Sequence, residues 1–544
     1  MKKNFKLKYS LLILILSATI AGCSSSNQTS DTNAENIETS STGETVSNTI
    51  NEDWPTLRVA VSLDARAVPP KEMAFEQELN KEAEVNIEYI TLPGDATEKK
   101  NLMLASNDLP DVFMGLLSRS DIMKYKEQGV FIPVNDLVEN EMPLLKELYE
   151  KHPEYKKEAT AIDGNMYGFP RIEEMKGLIL NQGLLYINQT WLDNLKLPMP
   201  TTMEEYKNTL IAFRDNDPNG NGAQDEIPFT LAGKEGNKGI GSWSNGNDFG
   251  QFLGCFGQAD TGDSLKVNED GIIFSTATTD AFKEGYKFFH DMYAENLIDI
   301  EIFNNDTAML SSKLRDPDGI VGSVITFSLP DRVDNERYKE YSPIPYLTGT
   351  GGEYGTRENL SEMHNPVVFS ITSACETPEI AARYADLTYD PVKSVEANWG
   401  PLDYVYEFDE KGQMVWGELK DGYDNFDDMR NANVLAARHP LAIFDDYYGT
   451  VVEYPQNAQN MLNDMNTVGF IDKHLNDPYI APQWYEEEDA NRLAILSTQV
   501  YGTIDTYRRQ WIIDGGVDEQ WNDYINDLEV AGLDELISIV QKYY

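Results

Sequence analysis

The sequence predicts an α/β fold that is built on a mainly parallel sheet and divided into two or more lobes. Patterns typical of strands and helices alternate from residue 57 to residue 115, and such alternation indicates βαβ units. The chain has 544 residues, far more than one hydrophobic core usually serves. Apolar residues make up 41% of the chain, which is enough to fill the cores of a packed globular protein.

The first residues predict secretion rather than a membrane span. Lysines precede an apolar run and then small residues, which is the order found in a secretory signal peptide, placed here at residues 1–22. The apolar run falls short of the roughly 20 residues that a transmembrane helix needs. The ending Ile20-Ala21-Gly22-Cys23 resembles the bacterial lipobox, which implies a diacylglycerol on Cys23. Residues 23–54 are rich in Ser, Thr, Asn and Glu and predict a disordered tether.

The folded part opens with strands and helices in alternation. Ligands of parallel sheets bind beyond the carboxyl ends of the strands. Asp64 and Arg66 directly follow the first predicted strand and are therefore candidate ligand-binding residues. The predicted strands are Leu57–Leu63, Val85–Thr91 and Asp111–Gly115, and the predicted helices between them are Lys71–Glu84 and Thr97–Ser106.

Later segments predict further helices and two strands. Trp191, Trp511 and Trp521 recur at helical spacing with apolar residues, which predicts that they lie in the core. The apolar run at 320–327 predicts a buried strand that returns to the first lobe. The remaining predictions are helices at Glu204–Arg214, Thr279–Asn296, Ala374–Tyr389 and most of Glu486–Tyr544, and a strand at Ile227–Thr230.

An oxygen-rich loop at residues 215–226 predicts a calcium site. Oxygen-bearing side chains recur at every second position, and calcium takes about six to eight oxygen ligands. Counted from Asp215, the run fits the EF-hand loop pattern, with Gly220 at the turn and Glu226 last. Pro228 bars the exiting helix of a complete EF-hand. A solvated turn of Asp, Asn and Gly is the alternative.

This loop is part of a wider resemblance that covers nearly all of the chain after the tether. Together with residues 99–113, 186–193 and 200–205, it is similar to the family 1 extracellular solute-binding lipoproteins. These proteins are the binding subunits of carbohydrate ABC importers in Gram-positive bacteria and are related to calcium-holding alginate oligosaccharide-binding proteins. The resemblance implies a two-lobed periplasmic-binding-protein-like α/β fold with discontinuous lobes, a hinge and a central ligand cleft. The implied lobes are residues 55–165 plus about 325–390, and residues 166–324 plus about 391–544, the latter with the calcium loop 215–226.

The resemblance also implies which atoms hold the ion. In that family the loop begins at the position of Asp217 rather than Asp215, and the ion is structural. Extracellular calcium at about millimolar concentration fills even a weak site of this kind. The implied ligands are Asp217, Asn219, Asn221, the backbone carbonyl of Ala223, Asp225 and Glu226.

Aromatic and polar residues elsewhere in the chain are candidates for contacting a sugar. Aromatic faces suit the C–H faces of sugar rings, and polar side chains satisfy the hydroxyls. Arg171 is expected near the cleft mouth, with a surface ion pair as the alternative. Trp243 lies in a polar, glycine-rich stretch, which disfavours a core role. Trp399, Tyr404 and Tyr406 form a second aromatic group, with interdomain packing as the alternative.

The charge and the motifs disfavour several classes of function. With 44 basic and 91 acidic residues, the chain has a net charge of −47 and repels nucleic acid. The five histidines are scattered without a zinc-binding pair, and the sequence contains neither a nucleophile elbow nor a phosphate-binding loop. We therefore predict no catalytic residues and no enzyme activity. Cys255 and Cys375 either form a disulfide or stay free.

The resemblance implies a monomer on the outer face of the cell membrane. It captures an oligosaccharide and then docks on the membrane permease of an ABC importer, and it meets the membrane through its lipid anchor only. Three alternatives stay open: a peptide ligand, coupling to a sensor kinase instead of an importer, and a surface glycan hydrolase.

Overall fold

The folded part of the chain is seen in a computed structural model, which describes residues 51–63, 67–92, 96–175, 183–233, 249–260, 264–353, 355, 362–423, 426–469 and 480–544. None of the helices within these ranges is both long and apolar enough to cross a bilayer. The predicted signal peptide, Cys23, nearly all of the tether, Asp64, Arg66 and Trp243 lie outside the described residues.

The strands in the described ranges are short and lie between residues 56 and 443. They are β1 (Thr56–Ser62), β2 (Asn86–Leu92), β3 (Val112–Met114), β4 (Phe169–Glu173), β5 (Leu184–Asn188), β6 (Leu265–Val267), β7 (Ile273–Ser275), β8 (Ser323–Thr326), β9 (Tyr341–Pro343), β10 (Met363–Ile371), β11 (Tyr406–Phe408), β12 (Met414–Trp416) and β13 (Leu441–Ile443).

Helices lie between these strands and make up most of the segment after residue 486. They are α1 (Ala74–Glu82), α2 (Ala96–Ser106), α3 (Arg119–Tyr125), α4 (Asn135–Glu141), α5 (Pro143–Lys151), α6 (Pro153–Ala159), α7 (Gln189–Leu195), α8 (Met203–Asp215), α9 (Asp280–Ala294), α10 (Thr307–Leu314), α11 (Asn335–Tyr338), α12 (Pro378–Asp386), α13 (Pro391–Trp399), α14 (Phe426–Asn433), α15 (Gln456–Thr467), α16 (Glu487–Asp514), α17 (Val517–Ala531) and α18 (Leu533–Tyr543).

The main sheet has six strands in the order β13-β4-β10-β3-β1-β2. Parallel pairs join β1 to β2 and β3, and β4 to β13, whereas β10 runs antiparallel between β3 and β4. All of its strands except β10 therefore point the same way. The predicted alternation of strands and helices from β1 to β3 is confirmed, with α1 starting at Ala74 after a short 3-10 turn at Pro70–Glu72.

A small antiparallel sheet holds β5 between β8 and β9. The strand that we predicted within residues 320–327 is present as β8, but it pairs with β5 and not with the main sheet. The strand that enters the main sheet is the later β10. The predicted strand at Ile227–Thr230 is wrong, because this segment makes only isolated bridges. Pro228 has no N–H with which to continue a ladder.

Two large hydrophobic cores accompany the sheets. The first packs against the main sheet, and the second packs among α7, α8, α9 and the C-terminal helices α16, α17 and α18. Trp191 and Trp511 are buried in the second core, as predicted, and Trp521 packs against it half-buried. Buried side chains from residues 395–465 belong to the first core and those from residues 493–540 to the second. The segment that we predicted as one part of the second lobe thus contributes to both cores.

The two cysteines of the folded part are free thiols. Cys255 is buried and Cys375 is half-buried, and the Cys255 Sγ donates to the carbonyl oxygen of Leu347 at 3.3 Å. Of the two alternatives that the sequence left open, the structure has the unpaired one.

Candidate functional site

Polar residues of the candidate site gather at the carboxyl edge of the main sheet. The parallel strands β1, β3, β4 and β13 end at this edge, and the antiparallel β10 begins there. The register places Arg171 of β4 opposite Asn365 of β10 and Leu441 of β13. Ligands of open α/β sheets bind at this edge, so it is the candidate ligand-binding site.

Arg171 is held inside the protein by two polar side chains. Its side chain donates from Nη1 to His364 Nδ1 at 2.9 Å and from Nη2 to Asn398 Oδ1 at 3.0 Å. Only 9% of the residue is exposed, and this burial lowers the pKa of Arg171 to about 10. The alternative of a surface ion pair for Arg171 is therefore wrong.

The contact with Arg171 also fixes the state of His364. Burial, and then the positive charge of Arg171, lower the pKa of His364 to about 3, so the imidazole is neutral. A guanidinium only donates hydrogen bonds, so Nδ1 of His364 accepts and its proton lies on Nε2. The pair therefore has a single arrangement of donors and acceptors.

Glu173, two residues further along β4, is fully buried beside Arg171. Its carboxylate accepts hydrogen bonds from Asn398 Nδ2 at 3.0 Å, from the Tyr448 hydroxyl at 2.9 Å and from the Met175 backbone N–H at 3.1 Å. Burial raises the pKa of Glu173 to about 7, although the charge of Arg171 acts in the opposite direction. The Glu173 carboxyl group therefore titrates near neutral pH and is surrounded by three hydrogen-bond donors.

We call Arg171, Glu173, His364, Asn398 and Tyr448 the polar network. Its members come from β4, β10, the end of α13 and the turn after β13. Of these five residues, only Arg171 was predicted from the sequence. Glu173 had one available signal, since residues two apart on a strand face the same side. The other three come from distant segments and carry no local signal for this site.

Trp399 extends the polar network towards the surface. Its indole Nε1 donates to the Tyr448 hydroxyl at 2.9 Å, and the guanidinium of Arg430 lies 4.8 Å from the ring centroid. Arg430 in turn donates from Nε to the backbone carbonyl of Asn398 at 2.6 Å. The network therefore ends in a half-buried indole with a cation stacked on it.

The two predicted tyrosines lie in different environments. Tyr406 is 1% exposed, its ring lies 4.7 Å from that of Trp416, and its hydroxyl is buried without a hydrogen-bond partner. Tyr404 is 38% exposed and has Lys420 Nζ 4.5 Å from its ring centroid. Tyr404 is therefore exposed to solvent, whereas Tyr406 is buried.

The predicted calcium loop follows α8 directly. Gly220 and Gly222 adopt positive φ angles of 74° and 78°, which turn the chain back on itself at little steric cost. Asp217 Oδ2 accepts from the Gly222 N–H at 2.9 Å, and Asn221 Nδ2 lies 3.1 Å from both carboxylate oxygens of Asp225. The side chains at 217, 221 and 225 are thus folded into the loop.

Glu226 provides the observation that tests whether the loop suits a cation. Its Oε1 is buried without a hydrogen-bond partner. Burial, followed by the charges of Asp225 and Asp217, raises the pKa of Glu226. An unpartnered carboxylate oxygen near two further carboxylates fits a hard cation with oxygen ligands. In the described part of the chain, no group of three or more His, Cys, Asp or Glu side chains is arranged to hold a metal ion on its own.

Asp215 distinguishes the two possible registers of the loop. Its carboxylate accepts two hydrogen bonds from Arg214: Oδ1 from Nε at 2.7 Å and Oδ2 from Nη2 at 3.0 Å. This pairing favours the register that begins at Asp217 over the EF-hand register that begins at Asp215.

Comparison with known proteins places the chain in a family. Residues 67–386 match the bacterial extracellular solute-binding proteins. Over 489 residues, covering 87% of each protein, the chain is 33% identical to the fructooligosaccharide ABC transporter substrate-binding protein FusA of Streptococcus pneumoniae.

Solved structures agree with this placement. The chain resembles S. pneumoniae FusA in complex with kestose with a TM-score of 0.80 and 32% identity, over 90% of this chain and 98% of that one. A FusA EF-hand mutant in complex with fructo-nystose also gives 0.80, at 31% identity and the same coverage. The alginate-binding protein AlgQ2, at 20% identity and a TM-score of 0.67 over 91% of this chain and 98% of that one, shares the fold.

The predicted fold class is thereby confirmed as the two-lobed α/β fold of solute-binding proteins. The six-stranded main sheet and the three-stranded small sheet, each packed with helices, are the α/β elements of this fold. This chain belongs to the family of bacterial extracellular solute-binding proteins.

Proposed function

We propose that this protein captures an oligosaccharide outside the cell and delivers it to an ABC importer. The observation that carries the proposal is the similarity to FusA along 87% of both chains. The polar network supports it, because fixed Arg, Asn, Glu and Tyr groups beside an indole ring suit a hydroxyl-rich ligand with apolar ring faces. Micromolar affinity, about −8 kcal/mol, suits capture followed by release.

Fructooligosaccharides are the first ligands to test. FusA was solved with kestose, and its sequence aligns with nearly the whole of this chain. A relative from Bacillus subtilis, the polygalacturonan/rhamnogalacturonan-binding protein YtcQ, is 27% identical over 40% of this chain. Acidic saccharides are therefore the second class of ligand to test.

The loop at residues 215–226 holds a structural calcium ion in this proposal. The ion joins the acidic side chains and so ties the end of α8 to the segment that bridges at Ile227 to Val321 and at Thr230 to Val324 of β8. The unpartnered Glu226 oxygen and the EF-hand mutant described for FusA support the assignment. The ligands are Asp217, Asn219, Asn221, the carbonyl oxygen of Ala223, Asp225 and Glu226.

The remaining parts of the proposal concern the location and partners of the protein. Residues 1–22 are cleaved, Cys23 carries the lipid, and residues 23–54 form the tether. The two lobes are built around the two hydrophobic cores and close on the ligand by hinge motion. The protein acts as a monomer, docks on the permease subunits and leaves the bound saccharide unaltered.

A binding panel with product analysis tests this function. The mature chain is titrated calorimetrically with kestose, nystose, trigalacturonate and a tripeptide, and each mixture is then chromatographed after prolonged incubation. We expect saturable binding of a saccharide, no binding of the tripeptide and unchanged chromatograms. Binding of the peptide alone, or shortened saccharide products, would replace the proposal with one of the other functions.

A further inference from the structure

We propose that Arg438 is a ligand-binding residue that holds two neighbouring oxygen atoms of the saccharide at the crevice between β1 and β3. This assignment rests on the proposed function and extends it to a residue outside the polar network. Its evidence comes from the topology of the main sheet, the contacts of the Arg438 side chain and the way in which its loop is anchored.

The topology singles out one crevice on the carboxyl edge. The chain passes from β1 to its neighbour β2 and then crosses to β3 on the other side of β1. Right-handed crossovers place the two connecting helices on opposite faces of the sheet, so a crevice opens between the ends of β1 and β3. Open α/β sheets bind ligands at such a switch point.

The Arg438 side chain lies across this crevice. Its Nε–H donates to the hydroxyl of Ser62, the last residue of β1, at 3.0 Å. On the other side it packs on Gly115, directly after β3, where an added Cβ would lie 2.5 Å from its Cδ. Gly115 also has a φ of 66°, so both the backbone and the close approach require glycine here. Arg438 itself is half-buried.

A buried carboxylate anchors the loop that carries Arg438. Glu76 Oε1 accepts from the backbone N–H of Leu435 at 3.0 Å and contacts His439 Nε2 at 2.9 Å. Both Glu76 and His439 are fully buried, and the second oxygen of Glu76 accepts from the Tyr89 hydroxyl at 2.9 Å. The loop is therefore fixed on both sides of Arg438, which is the support that a preorganised binding residue needs.

The charges at the carboxyl edge are of both signs. Burial lowers the pKa of Arg171, the charge of Glu173 opposes that change, and the charges of Arg430 and Arg438 add to it. Arg438 therefore lies within electrostatic reach of the polar network.

The chemistry of the guanidinium defines what it holds. Its planar fork presents parallel N–H groups that match two adjacent acceptors. With the plane oriented by Ser62, the fork suits either a pair of vicinal hydroxyls or one carboxylate on a sugar ring. Lysine keeps the positive charge but lacks the planar pair of N–H donors. Arg438→Lys therefore tests the contribution of the paired hydrogen bonds while the charge stays the same.

The test compares affinities of the mature chain and its variants by calorimetry. Arg438→Lys is titrated with kestose and with trigalacturonate, and the surface variant Arg383→Lys, whose side chain is 56% exposed, is the matched control. We expect at least about a tenfold weaker Kd for Arg438→Lys with the saccharide that the parent binds and an unchanged Kd for the control. Loss with kestose assigns vicinal hydroxyls, and loss with trigalacturonate assigns a carboxylate.

Ser62→Ala keeps the test decisive if Arg438→Lys folds poorly. It retains the arginine but removes the hydroxyl that orients the guanidinium group, so it should weaken binding while the far-ultraviolet circular dichroism stays that of the parent. Affinities within about twofold of the parent for all folded variants overturn the assignment and leave the proposed function intact. A parent chain that binds neither saccharide counts against the proposed function and this assignment together.

Discussion

At the scale of single residues, the polar network concentrates titratable groups in one buried place. Glu173 and His364 have pKa values shifted to about 7 and about 3, respectively, chiefly because burial disfavours their charged forms. Hydrogen bonds from Asn398 and Tyr448 support the Glu173 carboxylate but do not restore an ordinary pKa. Stability near neutral pH therefore depends on the protonation of one carboxyl group.

The Glu173→Gln substitution should flatten the pH dependence of stability. The folded pKa of Glu173, about 7, lies above the ordinary glutamate value of 4.5, so the folded state keeps a proton that the unfolded chain has released. Its stabilising contribution is full below about pH 4.5 and is lost as the pH rises through 7, a change on the order of 3 kcal/mol. Urea unfolding of both proteins from pH 4.5 to 8 measures this difference.

The exposed Glu407 supplies the control for that experiment. Glu407→Gln removes a carboxylate that lies on the surface of β11, so its stability should follow the parent at every pH. Parallel pH profiles for the parent and Glu173→Gln would contradict the prediction.

A second prediction at this scale concerns the Tyr406 hydroxyl, which has no hydrogen-bond partner. A buried polar atom without a partner costs about 1–3 kcal/mol, and the Tyr406 hydroxyl is such an atom. We expect Tyr406→Phe to keep or raise the melting temperature of the ligand-free protein and to leave the affinity for saccharide unchanged, because the hydroxyl is buried. A clear fall in melting temperature, or weaker saccharide binding, would contradict this prediction.

At the scale of elements, the loop after α8 links a helix to the small sheet. Thr202 caps the start of α8 by accepting from the Glu205 N–H at 3.1 Å, and the helix ends at Asp215. The chain then turns at Gly220 and Gly222 and reaches Ile227, which bridges to Val321. The proposed calcium ion would stabilise the link between the two elements.

Asp217→Ala should lower the melting temperature only when calcium is present. The parent gains stability from bound ion by mass action, and the variant loses that gain while its chelated form melts like the chelated parent. Asp215→Ala is the matched control, because Asp215 pairs with Arg214 and should keep the calcium effect. Equal melting of Asp217→Ala and the parent in calcium, or loss of the effect in Asp215→Ala alone, would reject this register. Differential scanning calorimetry with and without chelator makes the comparison.

At the scale of the whole molecule, long-range hydrogen bonds join helix α15 to the small sheet and to α11. Asp464 of α15 accepts from the Tyr186 hydroxyl of β5 at 2.9 Å and from the Tyr338 hydroxyl of α11 at 2.8 Å. Burial raises the pKa of Asp464. Helix α15, whose apolar residues belong to the first core, is thus tied to the central strand of the small sheet.

Ligand binding should both raise the free energy of unfolding and reduce the radius of gyration. A ligand shifts the balance of open and closed forms only through contacts that are better in the closed form. Kestose at 100-fold above its Kd should add about 2.7 kcal/mol to the free energy of unfolding, and small-angle X-ray scattering should show a smaller radius of gyration. Stabilisation with an unchanged radius would exclude hinge closure as the response to ligand.

Local structure was the part of this protein that could be predicted from the sequence. The elements from β1 to β3, the helix before the calcium loop and the burial of Trp191 and Trp511 all follow from apolar periodicity within short windows. The oxygen-rich loop is equally local, since its spacing and glycines lie within residues 215–226.

Only the tertiary structure decided where distant segments meet. The insertion of β10 between β3 and β4, the pairing of β13 with β4 and the contact of Arg438 with Ser62 join residues that are far apart in sequence. Such contacts depend on sheet order and strand register, which no local pattern encodes. The sequence by itself determined the elements from β1 to β3, several of the later helices, the charge and the loop that suits calcium. The packing of those elements determined which polar side chains share the carboxyl edge, because burial and charge act through space and not along the chain.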